Sequence, residues 1–448
     1  MTGGRSVADL RAVGEAARKH APVSAIGEWH PAKDRPDPVA LLEEQSASRI
    51  ADLIPVRYGR MLVSPFAFYR GAALPMASDL ASVPVSGIVT QLCGDAHIGN
   101  FGLFASPERD LVFDINDFDE TLPGPWEWDV LRLATSLVVA ARSRGFTAHE
   151  ARRALNATVR SYAMRMDQYA SMRSIEVYYA TVDATEILAS VRARARAYLS
   201  TTIKSAAHHD ALHEIPKLTE FIDGSRRIVD HPPIITHPSG LTLALATSAL
   251  ARYRETLQED RRVLLDRYTL VDSALKVVGV GSVGLYALAA LFEGSGDDDP
   301  LFLQAKEAVA SVLERFLPPA TATQHGERIV TGQRRLQAAS DIFLGWTTGD
   351  LGRELYIRQL QDQKAGAVID AMTPDDLKTW GELCAWALAR GHARSGEPAT
   401  IASYLGTDDA FEDAVGRFAT TYADRTEHDF AALGAAAKSG RIKVDSGV

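Results

Sequence analysis

Two short stretches of this chain carry side chains that could do chemistry together. They are Cys93-Gly94-Asp95-Ala96-His97-Ile98-Gly99-Asn100 and Asp114-Ile115-Asn116-Asp117-Phe118-Asp119. Leu111-Val112-Phe113 reads as a short buried strand that runs into the second cluster. Asp-x-x-x-x-Asn followed by a strand and Asp-Phe-x is the spacing of a phosphoryl-transfer loop and its metal-binding segment. That chemistry needs one carboxylate to orient an attacking hydroxyl. It also needs an amide oxygen and a second carboxylate to hold Mg²⁺ against nucleotide phosphates. Asp, Asn and Gly are turn residues as well, so 94–100 also fits an ordinary connecting loop.

A second constellation lies far downstream. Gly279-Val280-Gly281-Ser282-Val283-Gly284 is a GxGxxG, in which glycines let backbone amides approach phosphate oxygens. Three readings fit it. In a dinucleotide-binding unit the last glycine opens a full helix, but Leu285–Phe292 leaves room for only about two turns before a Gly/Asp turn. In a kinase small lobe, a glycine loop is followed by a strand, a turn and a strand ending in a lysine that neutralises phosphates, here Pro300 to Lys306. In the third reading the glycines only make a tight turn and Lys306 is exposed. A carboxylate should orient Lys306. Glu307 points to the other face of a strand, which leaves Glu314 and Glu327. Glu327 is preferred because it opens a helical stretch, 326–341.

The elements that must position these residues follow from pattern. Residues 87–92 alternate like a strand that delivers the chain to Asp95. Pro123-Gly124-Pro125 breaks the chain, and 126–142 then reads as a strongly apolar helix. Residues 38–53 and 148–198 read as helical, and 241–268 as one long helix. The Pro- and Gly-rich stretch 223–240 reads as a loop or linker. The aromatic segment 64–71 reads as ending in a turn, where Arg70 fits either a phosphate contact or a structural stack. Residues 1–40 read as a loosely packed extension. Residues 342–346 and 354–361 add two strands to a small sheet and lead to a hinge that could contact adenine.

Composition bounds the answer. The chain has 448 residues, enough for two or three domains or two lobes. A net charge of −9 argues against a general nucleic-acid surface. Cys93 and Cys384 stand far apart, without disulfide or zinc spacing. No apolar run of about 18 residues predicts a membrane span, and a reducing cytoplasm is the simplest compartment.

Residues 94–133 resemble the catalytic segment of aminoglycoside and choline phosphotransferases. The resemblance rests on Gly94-Asp95-Ala96-His97-Ile98-Gly99-Asn100, on Asp117-Phe118-Asp119, and on Glu127-Trp128-Asp129-Val130-Leu131-Arg132-Leu133. Over about 40–430 the chain resembles the bacterial family called domain of unknown function 2252, a suspected relative of the protein-kinase-like group. The resemblance implies that Asp95 is the catalytic base, that Asn100 and Asp117 bind Mg²⁺ with help from Asp119, that Gly279, Gly281, Ser282 and Gly284 cover the phosphates of ATP, and that Lys306 grips them.

Two departures stand out. Cys93 occupies the place of a supporting His. The catalytic loop also precedes the glycine loop, the reverse of an ordinary kinase. Circular permutation reconciles the order, because termini lie at the surface and often close together. The helix 379–394 would then precede the catalytic loop in space. Its His392 either supports that loop or lies on the helix surface.

The expectation is an α+β, two-lobed, circularly permuted protein-kinase-like fold. It divides into an extension (1–86), a helical large lobe (87–270), a β-rich nucleotide-binding lobe (271–365) and C-terminal helices completing the large lobe (366–448). The expected activity is phosphoryl transfer from Mg–ATP to a hydroxyl of a small molecule, with no nucleic-acid or membrane partner. Nucleotidyl transfer and a regulatory pseudokinase are the alternatives.

Overall fold

The apolar stretch after Pro125 forms the helix Trp126–Ser143, buried on nearly every face, so it is the central rod of a helical body rather than a surface helix. Ala148–Ala170 lies against it, started by a capping box between Thr147 and Glu150. Pro374–Ser395, Pro398–Leu405 and Ala410–Lys438 complete the body. Trp126 is fully buried and stacks on Tyr162 with ring centroids 5.6 Å apart. The computed structural model describes residues 6–190, 193–208, 218–222, 225–232, 234–237, 243–276, 283–296, 299–349, 352–360 and 365–445.

The fold is mixed α+β with several antiparallel sheets. Strands β1 (Val89–Leu92), β2 (Phe101–Ala105), β3 (Leu111–Ile115) and β4 (Leu122–Pro125) carry the loops that hold Asp95 and Asp117. A hairpin, β5 (Thr219–Ile222) and β6 (Ser225–Ile228), and a short β7 (Ile235–Thr236) follow. Then come β8 (Thr269–Lys276), β9 (Ala287–Glu293), β10 (Pro300–Glu307), β11 (Gly345–Thr348), β12 (Glu354–Gln359) and β13 (Ala365–Gly366). Among the described residues the largest sheet runs β11-β12-β10-β9-β8-β7.

The side-chain period of two splits this sheet between two cores. Leu301 and Leu303 join Tyr253, Phe292 and Ile357 on one face, while Phe302 joins Ile228, Ile235 and Leu291 on the other. Lys306 lies on the Phe302 side by the same alternation. The β10–β12 register sets it opposite Tyr356, with Arg358 opposite Gln304.

Several local expectations are corrected. Where one helix was expected over 241–268, the described residues form two, Leu243–Arg254 and Glu259–Leu265. The aromatic segment 64–71 is the helix Pro65–Gly71, capped by Ser64. The 223–240 stretch contains β6 and β7. The N-terminal segment is not loose: Val7–His20 starts with a capping box, packs on Pro398–Leu405, and is followed by Trp29 buried against Phe418 and Tyr422. After Gly284 the chain enters strand β9 directly, so the helix that the dinucleotide reading requires is absent there.

Candidate functional site

Strand register brings the two acidic stretches together. β1 pairs antiparallel with β4, setting Leu92 opposite Leu122, so Cys93-Gly94 emerges beside Glu120-Thr121. β2 pairs with β3, setting Phe101 opposite Ile115, and Asn116 N donates to Asn100 O at 2.8 Å. The 93–100 and 116–121 loops are thus held side by side at both ends. Gly94 is required at the first of these crossings. Its φ is +84°, and an added Cβ would lie 2.2 Å from Glu120 O.

The loop is tied from beneath. Asp129, in the first turn of Trp126–Ser143, accepts from Cys93 N at 2.8 Å and Gly94 N at 3.0 Å. His392 is fully buried, with Nε2 3.4 Å from Asp129 and Nδ1 2.8 Å from Tyr162 Oη. It is therefore not a surface histidine. It stands behind the carboxylate that carries the loop, where Cys93 supplies no imidazole. Trp380 Nε1 donates to Ile98 O at 3.0 Å from the same helix as His392.

Asp95 Oδ1 accepts from Arg132 Nε, three residues after Asp129 and on the same helix face. Its Oδ2 lies 3.8 Å from His97 Nε2. Burial raises the Asp95 carboxyl above its ordinary range, opposed by Arg132 and Arg70. Asn100 Nδ2 donates to Asp95 O at 2.9 Å, which turns its amide oxygen the other way. Asp117 accepts a hydrogen bond from Asp119 N at 3.2 Å. Burial, with the neighbouring Asp119 carboxylate, raises its pKa.

Lys306 reaches this cluster from the sheet. Its Nζ is 2.7 Å from Asp119 Oδ2, and Tyr356 Oη donates to Asp119 Oδ1 at 2.7 Å. Burial opposes ionisation of Asp119, but Lys306 overrides it and holds the carboxyl at about 2. Each Asp119 oxygen thus has a protein partner, one the lysine and one the tyrosine. The lysine's partner is accordingly not Glu327, whose Oε2 accepts from Thr323 N at 2.8 Å and Thr323 Oγ1 at 2.6 Å. Glu314 lies near His325 and Arg328 instead. Arg328, next to Glu327 on the same helix, donates to the carbonyls of Asp119, Thr121 and Val309.

A cleft of 570 Å³ opens over these groups, lined by Asp95, Asp117, Asp119, Glu120, Leu285 and Arg353 among others. The segment 44–73 forms one wall, including Arg49 and Arg70. It also holds the end of the glycine stretch: Ile50 N donates to Gly284 O at 2.8 Å, and Arg49 donates to Val283 O. Gly284 has φ +89°, and a Cβ there would meet Arg49 Cβ at 2.9 Å. Gly279, Gly281 and Ser282 lie outside the described residues. Among the described residues, no group of three or more His, Cys, Asp or Glu side chains is arranged to hold a metal ion alone, and no helix is long and apolar enough to cross a membrane.

The family described as "Uncharacterized protein conserved in bacteria (DUF2252)" matches residues 49–436. This chain belongs to DUF2252. Comparisons with curated proteins and with solved structures gave no match. The matched span of this DUF2252 protein begins at Arg49, so it includes Arg49 and Arg70 on the cleft wall as well as the two acidic loops and Lys306.

Several residues of the site escaped sequence reasoning. Tyr356 and Arg358 read only as strand residues, and Arg328 only as part of a helix. Arg390, buried against Asp114 with two contacts of 2.6 Å, looked like one more helical arginine. Arg132 did carry a local signal, its i, i+3 spacing from Asp129.

Proposed function

We propose that this DUF2252 protein transfers a phosphoryl group from Mg–ATP to a hydroxyl of a small molecule, on a permuted, two-lobed kinase-like framework. One observation carries the reading: Lys306, on the third strand of an antiparallel β8–β9–β10 run, is ion-paired into the same cluster as Asp95 and Asp117, at the edge of one cleft. A lysine strand facing a base and a metal carboxylate is what phosphoryl transfer needs, because its catalysis is mostly positioning and charge neutralisation.

The residues present fit a magnesium ion. Mg²⁺ takes one or two carboxylates and fills its other positions with water and phosphate oxygens. Asp117 is a carboxylate raised in pKa by burial and then by its neighbour Asp119, a setting that a cation relieves. Asp117 and the Asn100 amide oxygen would hold it, and it would supply charge neutralisation at the phosphates. Asp119 fixes Lys306 toward the same phosphates. Arg132 occupies one Asp95 oxygen and leaves the other to receive the acceptor's proton. The raised pKa of Asp95 makes it a stronger base than an exposed aspartate. In the transfer, the acceptor oxygen bonds to the γ-phosphorus, the bond to the bridging oxygen breaks, and its electron pair leaves with ADP.

The test is incubation with ATP and Mg²⁺ and a panel of hydroxylated metabolites, read by mass spectrometry. ADP and an acceptor heavier by a phosphate are expected, and Asp117→Ala should abolish both. Pyrophosphate with an AMP-bearing product would overturn phosphoryl transfer, and absence of nucleotide binding would overturn the whole reading.

A further inference from the structure

We infer that Arg70, delivered by the N-terminal segment, grips the terminal phosphoryl group of the nucleotide and neutralises it during transfer. This rests on the Mg–ATP reading above and adds a catalytic residue to it.

Arg70 sits in the last turn of Pro65–Gly71 and lines the cleft together with Asp95 and Asp117. It lies against the catalytic loop: a Cβ built on Gly99 would come 3.7 Å from Arg70 Nε. That Nε is buried and has no hydrogen-bond partner. The other cations of the cluster are committed to protein groups. Arg132 holds Asp95, donates to Tyr69 O at 3.2 Å and covers the Tyr69 ring. Arg328 holds three carbonyls. Lys306 holds Asp119. Arg358 donates to Asn116 O at 3.2 Å.

Burial lowers the Arg70 pKa, while Asp95 and Asp117 raise it through space, and neither carboxylate is within ion-pair distance. A guanidinium so placed is only partly compensated for its desolvation, and an anion in the cleft supplies the rest. Its planar fork suits the peripheral oxygens of a phosphoryl group better than a point charge does.

The position identifies which phosphate. Asp95 takes the proton of the acceptor, and Asp117 belongs to the metal side of the nucleotide. A cation that lines one cleft with both of them faces the group that passes between acceptor and ADP. During transfer the new bond forms from the acceptor oxygen to phosphorus, and the bond to the β-phosphate oxygen breaks with its electron pair. The proton goes to Asp95, and the charge left on the three peripheral oxygens of the moving group is what Arg70 meets. A side chain that only braced the aromatic helix would have no preference between ATP and ADP.

The experiment compares Mg–ATP and Mg–ADP binding by calorimetry in the wild type, Arg70→Met and Arg70→Lys, with single-turnover phosphate release from ATP, water being the acceptor. Met keeps the stem, and thermal melting checks that the variant is folded. If Arg70→Met does not fold, Arg70→Lys carries the same comparison. The expected result is a loss of ATP affinity of about tenfold or more with ADP affinity kept within about twofold. Phosphate release should slow by about a hundredfold, and Lys should restore part of both. Equal losses for the two nucleotides, or no loss for either, would overturn the assignment. A wild type that binds neither nucleotide would remove the Mg–ATP reading itself, and this inference with it, before any variant is made.

Discussion

Lys306 Nζ lies 2.7 Å from Asp119 Oδ2, and Asp119 Oδ1 accepts from Tyr356 Oη at 2.7 Å, while Asp117, two residues earlier, has no such cation in contact. Two neighbouring carboxylates therefore have different surroundings. Asp119 is paired with the lysine, and Asp117 lines the cleft without an ion-pair partner among the described residues.

The two should separate experimentally. Asp119→Asn leaves Lys306 buried without its counter-ion and should destabilise the protein by about 3–5 kcal/mol, seen in urea midpoints. Asp117→Asn removes a like charge beside Asp119 and should leave stability equal or higher while Mg²⁺-dependent ATP binding is lost. A wild-type-like midpoint for Asp119→Asn would show that the ion pair contributes little.

The same pair has a pH signature. Asp119 is held at about 2 in the fold, below the ordinary 3.8. Its contribution is fully present above pH 3.8 and is lost as pH falls through about 2, because protonation then competes with the lysine. Denaturation midpoints of the wild type should fall across that window more steeply than those of Asp119→Asn.

Asp95→Asn should keep Mg–ATP affinity within about twofold and slow transfer by about a hundredfold or more, since it removes the proton acceptor and not a phosphate contact. Binding and turnover must be measured on the same preparation. Loss of binding in a folded protein would make Asp95 a binding residue instead.

Arg132→Met tests the setting of the base. Burial already raises the Asp95 pKa, and Arg132 opposes that rise. Removing the arginine should raise it further, so the deprotonated fraction at a given acidic pH falls. The acidic limb of the turnover profile should move to higher pH. A limb that stays put or moves lower would mean that Asp95 is not the titrating group.

Glu327→Gln serves as the contrast. Its half-buried carboxylate accepts from exposed Thr323, just before its helix, and does not touch Lys306. Nucleotide affinity should stay within about twofold, with a stability loss of at most about 1 kcal/mol. A tenfold loss of Mg–ATP affinity would restore Glu327 to the site.

What could be read without coordinates was local. Val89–Leu92, Leu111–Ile115, Trp126–Ser143 and Pro300–Glu307 were legible because period and flanking prolines or glycines act over a few residues. The helix predicted over 241–268 is broken at 255–258, and Leu264 and Tyr268 pack beside Leu250 against the same sheet core, a demand that periodicity along one axis does not express.

The chain by itself determined the groups on offer: an aspartate, an asparagine five residues on, a second acidic loop, and a lysine at the end of a strand. Only the tertiary structure decided the pairings. Asp119, rather than Glu327, meets Lys306 because the β10–β12 register turns Lys306 and Tyr356 to one face, and the β1–β4 and β2–β3 registers bring the 116–121 loop beneath it. Arg70 reaches the cleft because Pro65–Gly71 folds as a helix against Trp126–Ser143. Ion pairing depends on distance in space, and between segments far apart in the chain that distance is set by strand register and helix packing, which no local pattern encodes.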